Sequence, residues 1–241
     1  MSVHCNGFYE YLPEGYENDP AGTKYPLMLV FHGGSEVGED SADLKKVLTN
    51  GPLRLIKAGT FPASFTVDGH TYKFILIAPQ FTSSGDTYPN EIDGLIEYAK
   101  QNYKVDASRI YLTGLSYGGG LCWSYVGENS SYANKIAAMV PIAAYISDER
   151  EEFKVNAARA QVIASSNLPI WSTHNSGDRT CPLRWVTDAY NLLNHSTPPP
   201  IPVPKLTIFN SATHGGWTQT YTPSFKENNL NVYEWMLQYH R

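Results

Sequence analysis

Residues 111–123, YLTGLSYGGGLCW, hold Ser116 between glycines, with an apolar run before it and a helix-compatible run after it. This is the G-x-S-x-G pattern of a nucleophile elbow, in which a tight strand-to-helix turn lifts a serine hydroxyl clear of the chain. Gly114 and Gly118 stand where a side chain would collide with a neighbouring strand or helix. A turn built from small residues, without chemistry, is the competing reading, and the pentapeptide alone does not separate the two.

An attacking serine needs a base to take its proton, and the base needs an acid to orient it. The stretch LPIWSTHNSGDRTCP, 168–182, sets Asp178 in a Ser-Gly-Asp turn after an apolar run. The stretch KLTIFNSATHGGW, 205–217, sets His214 beside two glycines after another. Asp148, in AAYISDER, is a rival acid, and His174, four residues before Asp178, is a rival base. Asp178 is preferred because its Gly-Asp turn is soon followed by Pro182. His174 ends an apolar run and suits packing or hydrogen bonding better. The plain alternatives are a helix cap for Asp178 and a solvated loop position for His214.

Acyl chemistry through a serine develops an oxyanion, which backbone N–H groups must meet in a dry site. One donor is expected from Tyr117, directly after the serine. The second is expected from VFHGGSEVGED, 30–40, where either Gly34 or Ser35 supplies the N–H. The glycines of that stretch do not form a phosphate loop, since neither G-x-x-x-x-G-K-[ST] nor G-x-G-x-x-G occurs. Trp217, Gln80 and His32 are the candidate substrate contacts. For Trp217 the alternative is a core aromatic under the last helix. Trp123, two turns along the elbow helix, reads as core.

These residues need a frame that brings distant loops to one edge. Continuous apolar runs at 7–13, 25–32, 73–80, 109–114, 137–144, 168–174 and 205–210 predict strands covered on both faces, as in a parallel sheet. Longer amphipathic stretches alternate with them. YPNEIDGLIEYAKQNY puts Ile92, Leu95, Ile96 and Ala99 on one helical face, with Asn90 as the expected N-cap. LRWVTDAYNLLN and the terminal NNLNVYEWMLQYHR show similar spacing. FTVDGHTYKF predicts a hairpin about Asp68-Gly69. STPPPIPVP, 196–204, is a stiff connector.

With 241 residues, 42% of them hydrophobic, the chain can bury a core as one domain over 1–241. A net charge of -5 without a basic run argues against nucleic acid or an anionic membrane as partner. No basic segment leads into an apolar one at the start, so the chain reads as cytoplasmic or as the mature part of a secreted protein. Cys5, Cys122 and Cys181 match no metal spacing and read as free thiols, with a pair among them left open.

The FHGG, GLSYGG, SGDRTCP and THGGW segments together resemble the α/β-hydrolase superfamily. Within it they resemble compact esterases: carbohydrate esterase family one (feruloyl and acetylxylan esterases), polyhydroxyalkanoate depolymerase-like and phospholipase/carboxylesterase-like enzymes. The likeness runs from GFYEYLPEGY to VYEWMLQY. It implies an α/β fold with a mostly parallel central sheet, helices on both faces and no large lid. The order Ser116, Asp178, His214 is that of the superfamily's triad. Cys181 departs from the resemblance, standing where relatives often carry a small aliphatic residue.

The resemblance implies a serine esterase that acts through an acyl-enzyme on a small-molecule or polysaccharide ester, feruloyl or acetyl. A serine peptidase, a short-chain carboxylesterase and a non-catalytic glycan- or protein-binding module are the alternatives. No metal or organic cofactor is implied; His174, Asp178 and His214 match no metal-ligand spacing.

Overall fold

The computed structural model describes residues 5–20, 22–82, 88–147 and 149–241. Nine strands are described: β1 (Cys5–Tyr11), β2 (Tyr25–Phe31), β3 (Phe65–Val67), β4 (His70–Tyr72), β5 (Ile75–Phe81), β6 (Val105–Leu115), β7 (Ala138–Ile142), β8 (Trp171–Asn175) and β9 (Lys205–Phe209). The α-helices are α1 (Gly51–Lys57), α2 (Tyr88–Asn102), α3 (Tyr117–Glu128), α4 (Ser130–Ala133), α5 (Ala157–Ser165), α6 (Leu183–Asn194), α7 (Trp217–Tyr221) and α8 (Val232–Leu237).

Seven strands form one sheet in the order β1-β5-β2-β6-β7-β8-β9. Only β1 runs antiparallel, against β5; the remaining neighbours pair in parallel. Each of the seven apolar runs predicted from sequence lies on one of these strands. The edge strands β1 and β9 depart from the expected two-sided cover and are only partly buried, since each has a single neighbour. In the central strands the continuous hydrophobicity has a direct cause: alternate residues feed two separate cores. Leu27, Leu29 and Phe31 join Ile92, Leu121, Ile163 and Val186 on one face. Met28 and Val30 join Leu53, Phe65, Val67 and Trp235 on the other. A strand buried on both faces cannot show a polar alternation.

The hairpin β3–β4 forms its own two-stranded sheet. Asp68 and Gly69 both adopt positive φ, 50° and 79°, as a two-residue primed turn requires. One local expectation fails. Asn90 is not the N-cap of α2, because that helix already begins at Tyr88, and the Asn90 side chain instead accepts a hydrogen bond from the Tyr132 hydroxyl.

Strand order positions the site. After β2 the chain builds β5 on one side and then crosses to β6 on the other, so β2 and β6 pair at the point where the winding reverses. Ligands in open parallel sheets bind at the carboxyl ends of strands beside such a point. The loop of His32, Gly33, Gly34 and Ser35 leaves β2 there, and Ser116 leaves β6 beside it, with Phe31 paired to Gly114. β8 and β9 end at the same edge, which carries Asp178 and His214 to it.

Candidate active site

Ser116 has φ 53° and ψ -116°, a conformation that non-glycine residues rarely adopt. Such a residue costs on the order of 1–3 kcal/mol and persists only where its surroundings over-determine it. Here three hydrogen bonds do so: Ser116 N–H donates to Ile142 (2.8 Å), and its carbonyl accepts from Tyr145 (2.9 Å) and Gly120 (3.1 Å). The flanking glycines are required by contact. A Cβ on Gly114 would lie 2.4 Å from the Gly118 carbonyl, and one on Gly118 would lie 2.3 Å from the Phe31 oxygen.

His214 and Asp178 complete a line with this serine. His214 Nε2 meets Ser116 Oγ at 2.8 Å, and His214 Nδ1 meets Asp178 Oδ2 at 2.7 Å. Asp178 is buried, and its other oxygen accepts the N–H groups of Thr180 and Cys181, both at 2.9 Å. The carboxylate therefore aims one oxygen at the imidazole and anchors the other in its own turn. Nδ1 is the protonated nitrogen, which leaves Nε2 free to accept from the serine hydroxyl. The two loops are tied to each other: Ser176 N–H donates to Phe209, Gly177 N–H to Ser211, and the Asn175 amide to the Thr213 carbonyl at 2.8 Å.

The rivals are placed elsewhere. His174 is buried in β8 and donates through Nε2 to the Cys181 carbonyl at 2.7 Å, 3.9 Å from Asp178 Oδ2. Burial pushes its pKa down. Asp148 lies outside the described residues. Among the described residues no group of three or more His, Cys, Asp or Glu could hold a metal ion.

Tyr117 N–H opens α3 and so has no intrahelical acceptor. Gly34 lies against it, since a Cβ on Gly34 would stand 4.0 Å from the Tyr117 Cβ. Gly34 and Ser35 begin a short 3-10 turn, Gly34–Glu36, whose first N–H groups likewise lack partners within the turn. Gly33 N–H is engaged by Glu36 Oε2 at 2.6 Å. The Tyr117 ring turns inward and packs on Phe153, with centroids 5.2 Å apart.

His32 and Gln80 hold the frame. His32 is buried; its Nε2 accepts the Phe81 N–H at 2.9 Å and its Nδ1 donates to the Gly33 carbonyl at 2.8 Å. Burial pushes its pKa down to about 4, so it is a neutral clasp between the ends of β2 and β5. Gln80 is fully buried and donates to the carbonyls of Glu36 and Asp43, both at 2.8 Å. Trp217 is half-buried. Its ring stands edge-on to His214, with centroids 5.3 Å apart and planes at 78°, and its indole N–H donates to Asn50 at 3.2 Å. Trp123 is wholly buried in the core.

All three cysteines are free. Cys181 is buried beside Ser116, and its thiol is pushed up to about 12 by burial and by the Asp178 charge, with the Ser116 contact opposing. Sequence reading missed an aromatic row that starts at the residue after the serine. Tyr117 packs on Phe153, Phe153 on Tyr145 (5.5 Å) and Tyr145 on Trp185 (5.5 Å). It emerges half-exposed at Tyr145 and Trp185. The abundance of tyrosine was its only sequence signal.

No family model matches the chain, and no curated protein does. Solved structures do. A thermostable esterase superposes with TM-score 0.69 at 20% identity, over 97% of this chain and 59% of that one. This chain thus spans well under two thirds of that esterase. A dienelactone hydrolase described as putative, from Klebsiella pneumoniae subsp. pneumoniae, gives TM-score 0.58 at 16% identity over 96% and 90%. A mutant feruloyl esterase module from Clostridium thermocellum, complexed with sinapinate, gives 0.57 at 16% over 90% and 81%. At these identities the likeness carries architecture, and the chain has the α/β-hydrolase fold.

Proposed function

We propose that the protein is a serine esterase that hydrolyses carboxylic esters through an acyl-enzyme. The observation that carries this reading is the unbroken line from Ser116 Oγ through His214 to the buried Asp178 carboxylate. In this mechanism His214 Nε2 takes the serine proton as Oγ attacks the ester carbonyl. The carbonyl oxygen becomes an oxyanion held by Tyr117 N–H and by Gly34 or Ser35 N–H. Asp178 holds the imidazole's tautomer and stabilises the imidazolium. His214 then protonates the leaving alcohol, and a water molecule repeats the sequence to release the acid.

The substrate class we assign is an ester on plant-type polysaccharide, feruloyl or acetyl. Two features support it. Aromatic side chains flank the serine on two sides, Trp217 beside His214 and the Tyr145–Trp185 pair beside the elbow. A feruloyl esterase module complexed with sinapinate and an acetyl xylan esterase from Thermoanaerobacterium share the fold.

A fluorophosphonate probe, followed by p-nitrophenyl acyl esters, methyl ferulate and acetylated xylan, tests both levels on wild type and Ser116→Ala. Labelling and turnover that vanish in Ser116→Ala are expected. A protein that is never labelled, or is labelled equally in the variant, would overturn the serine-esterase reading. Turnover of long acyl esters with ferulate and acetylxylan untouched would overturn the substrate class alone.

A further inference from the structure

Glu36 is a buried carboxylate, only 3% exposed, three residues beyond the oxyanion loop's first glycine. Burial pushes its pKa up, and two N–H dipoles, with no cation among the described residues, oppose that shift: Gly33 N–H on Oε2 at 2.6 Å and the Asn50 side-chain amide on Oε1. The orientation of that amide is not arbitrary. Trp217 Nε1 only donates, so it claims Asn50 Oδ1 and turns Asn50 Nδ2 toward Glu36. Glu36 therefore faces a donor on each side, and only a side chain with two acceptor oxygens satisfies both. Its backbone is held as well: its carbonyl accepts from Gln80 at 2.8 Å and its N–H donates to Gly33 at 3.0 Å. On the far side, Gly33 is pressed against Leu115, which precedes the serine; a Cβ there would lie 2.7 Å from Leu115 Cδ1.

We propose that Glu36 is a positioning residue that sets the oxyanion loop and links it, through Asn50 and Trp217, to the His214 side of the cleft. It acts through its neighbours and touches no substrate. With Gly33 N–H engaged by Glu36, the next two N–H groups, Gly34 and Ser35, are the first of the turn without a partner in it, and Gly34 lies against Tyr117. The Asn50 arm fixes the tryptophan whose edge bears on His214. The loop that would bind the oxyanion and the ring that would back the base are thus set by one carboxylate. This role rests on the esterase reading for its kinetic consequence, but not for its structural one.

The test exploits donor and acceptor matching. Glu36→Gln keeps the shape but turns an NH2 group on one of two donors. Its kcat on p-nitrophenyl acetate should fall by roughly 10- to 100-fold, as a misplaced oxyanion donor demands, with KM changed by less than about threefold. Hydrogen exchange at the Gly33 and Glu36 amides, the two bonded N–H groups of this turn, should quicken. The double variant Glu36→Gln/Asn50→Asp restores the match, since the introduced glutamine then donates to the introduced aspartate, which still accepts from Trp217. It should recover most of the lost kcat and exchange protection.

Wild-type kcat and exchange in Glu36→Gln, or a double variant no better than the worse single, would overturn the proposal. If Glu36→Gln does not fold, Asn50→Asp carries the test. That variant sets two carboxylates face to face, so its kcat deficit should deepen as pH rises from about 5 to about 8, and a deficit independent of pH would overturn the proposal. A wild type inert toward every ester would sink the esterase reading only. The Glu36 role would then be decided by exchange, where unchanged protection of the Gly33 and Glu36 amides in Glu36→Gln counts against it.

Discussion

The Asp178 carboxylate and the His214 imidazole meet at 2.7 Å, while the second carboxylate oxygen is committed to the N–H groups of Thr180 and Cys181. That division of labour makes Asp178→Asn a sharp probe. The asparagine oxygen must stay on the two backbone donors, so its NH2 group faces His214 Nδ1. The ring then protonates at Nε2 and loses the lone pair that Ser116 needs. A fall in kcat of roughly 10³- to 10⁴-fold is expected, with folding and KM little changed. Steady-state kinetics with p-nitrophenyl acetate, beside a melting curve, check it; a loss below about tenfold would remove Asp178 from the orienting role.

The aromatic row predicts a selectivity change. Tyr145 and Trp185 are half-exposed and edge-on to each other beside the elbow, since the Tyr145 N–H holds the Ser116 carbonyl. An aromatic acyl group seated there would gain edge contacts of about 0.5–1.5 kcal/mol each. Alanine at either position should lower kcat/KM for methyl ferulate by roughly tenfold while leaving p-nitrophenyl acetate near wild type. Equal losses on both substrates would mean that the row supports the elbow and does not read the acyl group.

The frame and the hydrogen-bonded line of Ser116, His214 and Asp178 were legible for different reasons. Strands such as β2 and β5 are buried on both faces, so their apolar runs are continuous and stand out locally. Ser116, Asp178 and His214 were legible because each follows such a run in a glycine-bearing turn, and chain order is visible without coordinates. The supporting shell was not. Asn50 lies 14 residues from Glu36 and 167 from Trp217, and no local pattern encodes a hydrogen bond across that separation. Glu36 itself reads as one more acidic loop residue until its burial is known. His32 and Gln80 suffered the opposite error, since a polar residue at the end of a strand looks ligand-facing although burial turns it to backbone partners.

The elbow also predicts which glycines tolerate a methyl group. On Gly118 it would lie 2.3 Å from the Phe31 oxygen and 2.6 Å from the His32 oxygen, both backbone atoms at the end of the central strand. Neither can retreat without moving the sheet, so Gly118→Ala should cost about 3 kcal/mol or more and yield little folded protein. Gly94, within α2, has nothing within 4 Å of the same methyl. Gly94→Ala should therefore stabilise by about 0.5–1 kcal/mol. Urea midpoints of the two variants test the pair, and similar effects from both would contradict the close helix–strand approach at Gly118.

His32 supplies a pH dependence of stability whose sign follows from its burial. Its pKa is pushed from 6.5 in the unfolded chain to about 4 in the folded one. Between those values the unfolded chain binds the extra proton and the folded one refuses it, so acid favours unfolding. The contribution is intact above pH 6.5, is lost progressively as pH falls toward about 4, and amounts to about 3 kcal/mol over that window. Glutamine can accept the Phe81 N–H as Nε2 does but cannot protonate there. Urea unfolding of wild type and His32→Gln at pH 7, 5.5 and 4.5 should show the stability gap between them narrowing, or reversing in the variant's favour, as pH drops. A constant gap would mean that His32 takes up its proton equally in the folded and unfolded states. The neutral clasp between β2 and β5 would then be ruled out.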